Sequence, residues 1–428
     1  MNKEKNRWLM ISLANLAIVA FLGMILRSKI LFSLPWIDFK NLLHAHSHFA
    51  FGGWITLCLF SLMVYEILPN RLNRQAKYKI LLSGILFAAI GMLLSFPFEG
   101  YGIYSIIFST LFIFFTYGFS WIFIRDLIQS QAGRAVTLLS IAALIFASLS
   151  SVGPFTLAYM MASHHANLLL YKDSIYTYLH LQYNGFFTLA LFAILFNLYY
   201  TGLAKSIQRR VDRFALVMTL SVLPTLFLSY LWHYPNNYIR GIAIGGCVLL
   251  AVLLYHFTST MIAMKNTFRQ IRPFPKFIGG LSMMAFFIKT TVQIGIVIPS
   301  VGNEVFGDRP IIIGYLHLVM LGFVTLYLFA HLIHTGFFVA RESLSKKAIL
   351  IFAAAVAANE AILMVQGISA MYMLSSPLYP WLLWVAAILL FCGATLLLIS
   401  VTGRPITVTQ ITKREKTALK ERILETIN

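Results

Sequence analysis

Twelve apolar stretches, each about 20 residues long, take up more than half of this chain. They begin near Trp8, Leu43, Ile80, Ile103, Val136, Tyr178, Phe214, Ile239, Phe277, Ile311, Ala348 and Trp381. A helix of that length crosses the hydrocarbon of a bilayer, and lipid accepts only helices and closed barrels because every main-chain polar group must bond internally. Of 428 residues, 59% are hydrophobic and 11% charged, more apolar surface than a soluble core could bury. The expected fold is an all-α polytopic membrane protein of about twelve transmembrane helices, a single membrane domain over residues 1–428. No small-residue cleavage site follows Leu26, so the first stretch reads as a retained span.

The net charge of +19 invites a nucleic-acid reading, but its distribution argues for a membrane. If Lys3, Lys5 and Arg7 lie inside, so do Arg71 to Lys79, Lys205 to Arg213, Lys265 to Lys276 and Arg341 to Lys347, while the opposite connections carry few cations. That pattern obeys the positive-inside rule and predicts two cytoplasmic termini in a bacterial plasma (inner) membrane. The basic tail from Arg404 to Arg422 then lies against anionic lipid. Lipid is the expected partner and nucleic acid is not. Cys58, Cys247 and Cys392 are far apart and inside spans, so no disulfide framework or haem-attachment motif is expected.

The second stretch opens with LHAHSHFAFGGW, residues Leu43 to Trp54. Its spacing from His48 to Gly53 recurs from His180 to Gly185 and from His317 to Gly322, four spans apart each time. Three pseudo-repeated four-helix arcs follow, at 1–134, 135–276 and 277–428, with these histidines near the outer ends of the second, sixth and tenth spans. An imidazole among apolar helices needs a partner, which makes a ligand role the expectation for the triplet and for His317. His44 and His48 share a helix face, and His46 points about 160° away from His48. A glycine one turn below a ligand leaves room for a flat macrocycle. His48 and His317 at a common depth suit a bis-histidine b-type haem, with His44 as a partial substitute. His46 could serve a second metal, such as copper, with His180. For His180 a ligand and an interfacial role stay open. His233 and His256 read as interfacial, and His164 and His165 fall in an outer connection from Ser163 to Ser174.

These features together resemble subunit I of the haem–copper oxidase superfamily, including the nitric oxide reductases. The segment Gly314-Tyr-Leu-His317-Leu-Val-Met-Leu-Gly322 is similar to that family's H-x-H-L-x-x-x-G element, with Tyr315 at the first histidine's place. The second-span opening and the pair His317 and His334-Thr-Gly resemble the NnrS family of haem–copper membrane proteins linked to nitric oxide metabolism. The resemblance implies a low-spin haem at His317, redox chemistry related to nitric oxide or oxygen, and other respiratory subunits as partners. The family's copper-holding elements in the sixth and seventh spans have no counterpart, which leaves enzymatic activity open.

Lys289 and Glu360 are the deepest charges, each 12 residues past the start of an apolar run, and equal depth predicts a buried ion pair, helped by Gln293 and Asn359. Two other functions fit the sequence. One is a metal-ion transporter with outer-side histidine ligands, although no midspan Gly/Pro interruptions mark a transport site. The other is a catalytic terminal oxidase or reductase subunit.

Overall fold

The structure, a computed structural model, describes residues 3–163, 167–233, 236–299, 301–302, 309–338 and 341–402. Among these it contains no strand. Twelve helices are long and apolar enough to cross a membrane: α1 (Lys3–Leu31), α2 (Phe39–Ile67), α3 (Ala76–Glu99), α4 (Ile103–Ile128), α5 (Arg134–Ala162), α6 (Leu168–Asn197), α7 (Lys205–Tyr230), α8 (Asn237–Ala263), α9 (Pro273–Gly295), α10 (Arg309–His334), α11 (Glu342–Met371) and α12 (Leu378–Thr402). The chain is an all-α polytopic membrane protein.

Successive spans pack as neighbours, and α1 packs on α12, so the twelve close into a ring. The most enclosed spans are α2 and α6, whose apolar windows are 78% and 89% buried. They touch each other, and α6 also meets α10. Phenylalanine fills the middle. Phe60 stacks on Phe119 at 3.7 Å, and Phe192 sits among Phe214, Phe257 and Phe286. Large apolar residues such as Ile80, Phe114, Trp121 and Met364 face outward, as lipid contact requires. We call the end that carries Lys3 the N-terminal face and the other the far face.

Several helices begin before their apolar runs do. α6 starts at Leu168, about ten residues ahead of Tyr178, so the expected connection from Ser163 to Ser174 is mostly helix. Ser174 is buried and its hydroxyl donates to Leu170 O. The first turns of α7 and α11 are too polar or charged to register as membrane-like, yet they continue the same helical ladder. His164, His165 and the tail from Arg404 to Arg422 lie outside the described residues.

The spans that carry the repeat share a local irregularity. Main-chain bonding switches to the wider π pattern at Ala50–Thr56 in α2, Leu181–Phe187 in α6 and Leu318–Thr325 in α10. Each segment begins one or two residues after the repeat histidine. A π turn displaces the regular bonding ladder, and in hydrocarbon no water can repair it. Threonine does so here: Thr188 Oγ1 donates to Tyr183 O and Thr325 Oγ1 to Met320 O, in each case five residues back. Thr56 holds the same place in α2, so the full repeat is His-x4-Gly-x2-Thr in all three spans.

The repeat glycines admit side chains, not a macrocycle. A Cβ at Gly53 would lie 2.6 Å from the Phe49 ring, and at Gly185 it would lie 2.6 Å from Phe146 Cβ of α5. At Gly52 it would meet Phe112 at 2.8 Å. The expected room beside Gly52, Gly53 and Gly185 is filled by phenylalanine, while Gly322 has only Ala285, Leu318 and Val356 at contact distance.

Candidate functional site

Three histidines of α2 face two different partners. His44 and His48 share one face, with ring centroids 6.5 Å apart, and both look toward the α3–α4 turn. His48 stacks on Phe96 at 4.6 Å, and its Nε2 lies 3.3 Å from the Tyr101 hydroxyl. His44 meets the Tyr101 ring edge-on at 4.6 Å, and its buried Nε2 has no hydrogen-bond partner. Burial pushes the Tyr101 phenol up to about 12, so it is a neutral donor at physiological pH.

His46 turns the other way, toward α1. Its Nδ1 lies 3.1 Å from Val19 O, and Gly23 leaves room for its ring, where a Cβ would stand 3.1 Å from Cε1. A carbonyl only accepts, so Nδ1 must carry the proton and Nε2 keeps its lone pair. His317 repeats the device with its Nδ1 bonded to Ile313 O at 2.8 Å. His46 and His317 lie close enough to feel each other's charge, and the Arg27 guanidinium of α1 acts on both. Helical geometry separates His46 from His48 as expected, and His46, set against α1, is the one close enough to His317 to feel its charge.

The third repeat histidine is bonded on both sides. His180 Nε2 donates to Val222 O at 2.8 Å, and Nδ1 accepts from Asn184 Nδ2 at 3.2 Å. Thr225 Oγ1 stands 3.4 Å from the same Nε2. His180 is therefore buried with both ring nitrogens hydrogen-bonded, and His46 and His180 face different helices. Asn184 continues the chain, since its Oδ1 accepts from Lys289 Nζ at 2.6 Å. Lys289 is 3% exposed and lines a cavity of about 20 Å³, room for one water, with Ser221, Thr225, Thr290 and Gln293. Tyr315 donates to Gln293 Oε1 at 3.4 Å across the α9–α10 contact.

Lys289 therefore does not pair with Glu360. Among the described residues no ion pair joins them, and Glu360 accepts only from its neighbour Asn359. Equal depth is not adjacency. Lys289 points from α9 toward α6, while Glu360 stays half-buried on α11.

A second polar cluster, with no counterpart in the expectations above, closes the N-terminal face. Glu66 accepts from Lys5 Nζ at 2.5 Å and from His331 Nε2 at 2.8 Å, which ties α1, α2 and α10 together. Tyr199 OH lies 3.2 Å from His334 Nε2 beside it. The signal for this cluster was a glutamate in an apolar stretch at the depth of a histidine on α10. Among the described residues no group of three or more His, Cys, Asp or Glu could hold a metal ion. Compared with protein-family models and with curated proteins, the chain finds no match.

Proposed function

We propose that this chain is a haem-binding integral membrane protein of the haem–copper oxidase or NnrS type, with a b-type haem between α2 and α10. One observation carries the reading. His46 and His317 sit on facing spans near the far face, each with Nδ1 donated to a main-chain carbonyl and Nε2 left as the ligand nitrogen. That tautomer would leave each Nε2 free to hold a haem iron. The charge of Arg27 on α1 reaches both rings, and a guanidinium there would suit the carboxylates that a haem carries. A haem held there supplies one-electron redox chemistry, which fits a role in electron transfer or in the handling of nitric oxide or oxygen.

Further parts of the reading follow from charge distribution and resemblance. Both termini face the cytoplasm of a bacterial plasma membrane, which places the haem near the outer face. Other respiratory subunits are the natural partners. With both nitrogens of His180 engaged, an oxygen-reducing copper centre has no support from α6, and a role in electron transfer fits better than terminal catalysis.

Single variants test the ligand assignment. Haem content and reduced-minus-oxidised spectra should collapse in His46→Ala and His317→Ala and persist in His48→Ala. Loss in His48→Ala with retention in His46→Ala would reverse the pair. Loss in neither His46→Ala nor His317→Ala would remove the site.

A further inference from the structure

The face of α2 that looks away from α10 carries three donors for which the haem reading has no use. His44 and His48 are one helical turn apart, the spacing at which two imidazoles on one helix chelate a single metal ion. Tyr101 reaches between them from the turn after α3, with its ring centroid 4.6 Å from that of His44 and 6.2 Å from that of His48. Two independent features mark the spot. His44 Nε2 is buried without a hydrogen-bond partner among the described residues, an arrangement that is unfavourable unless something binds it. His48 Nε2 faces the Tyr101 hydroxyl, whose proton it accepts, so its lone pair also points into the same space.

Metal–nitrogen bonds of about 2.0–2.1 Å put two imidazole centroids on one four-coordinate metal roughly 5–5.5 Å apart. The His44 and His48 centroids are 6.5 Å apart, so the two rings have to rotate toward each other by about 1 Å to share an ion. We propose that His44, His48 and Tyr101 form a site for one divalent transition-metal ion of borderline softness, the zinc and copper class, near the far face. Two imidazoles and one phenolic oxygen select that class over magnesium or calcium, which prefer all-oxygen shells. With three protein donors a fourth position stays open to water or a small ligand. The site shares no ligand with His46 and His317, so it stands or falls separately from the haem.

Copper(II) is the probe, because its paramagnetic resonance spectrum counts coordinated nitrogens. Full-length protein in detergent, freed of any polyhistidine tag, should bind one copper(II) with two imidazole nitrogens. His44→Ala and His48→Ala should each leave one nitrogen and weaken binding at least about tenfold, while the haem content stays that of the wild type. Tyr101→Phe should keep both nitrogens and the fold yet bind more weakly. Zinc(II) should displace the copper and magnesium should not. Where His44→Ala yields too little folded protein, His44→Gln, which preserves size and polarity, carries the same test. A two-nitrogen signal that persists in the His44 variant would overturn the proposal. So would wild-type uptake no greater than that of the His44→Ala/His48→Ala double variant, or equal displacement by magnesium.

Discussion

An ammonium group in the middle of a membrane helix needs an acceptor, and Lys289 takes the side-chain carbonyl of Asn184. Asn184 in turn fixes the tautomer of His180, so one amide serves two buried partners on α6 and α9. Removing it strands both. Asn184→Leu should therefore cost about 2–5 kcal/mol, whereas Lys289→Met, similar in length and apolar, should cost less. Thermal unfolding of the purified variants ranks them. A double-variant cycle should give coupling of about 0.5–3 kcal/mol between Lys289 and Asn184 and none between Lys289 and Glu360. Gly23→Ala is the corresponding probe at the histidine site. The new methyl meets the His46 ring and should lower haem occupancy without unfolding the protein. Sequence could place Lys289 and Glu360 at one depth because depth follows from counting along helices. Which neighbour each residue faces depends on helix rotation, and nearly all-round apolar helices leave that rotation unmarked.

At the scale of elements, the distinctive feature of the core is the π segment after each of the three repeat histidines, with a further one at Met63–Ile67 in α2. The histidine and glycine of the repeat were legible as spacing, and the threonine three residues after each glycine completes the pattern once its hydroxyl is seen to bond a carbonyl five residues back. Spacing alone does not reveal a π turn, because its residues are as apolar as those of the flanking α-helix. Thr188→Val and Thr325→Val remove that bond with little change of shape and should each destabilise by about 1–3 kcal/mol. The loss at Thr325 should be greater, since its oxygen also accepts from Trp54 Nε1 at 3.1 Å. The glycines should differ in the same assay. A methyl at Gly185 collides with Phe146 Cβ at 2.6 Å, while at Gly322 it meets Ala285 Cβ at 3.4 Å, so Gly185→Ala should be severe and Gly322→Ala mild. Helix starts were the least legible boundaries, because hydropathy marks where the apolar run begins and not where the ladder does.

For the whole molecule, the apolar runs announced twelve spans and the structure has twelve. Closure of the ring and the tie across the N-terminal face were not readable in advance, since both join residues far apart in the chain. Glu66 holds Lys5 and His331 together, and taking it away leaves two cationic or polar partners unpaired. Glu66→Ala should thus lower thermal stability more than Lys5→Ala or His331→Ala does, by up to about 3–5 kcal/mol. Orientation has its own test. Ser163 is exposed at the far face, and a cysteine placed there should react with an impermeant reagent in intact cells, while labelling only after lysis would invert the topology. The central claim is that iron is held between His46 and His317, and it meets its most direct test in one absorption spectrum. Protein produced with ample haem and reduced with dithionite should show the sharp α and β bands of a six-coordinate, low-spin b-type haem at about one haem per chain. Protein that purifies folded but without haem would contradict the account and favour a metal transporter.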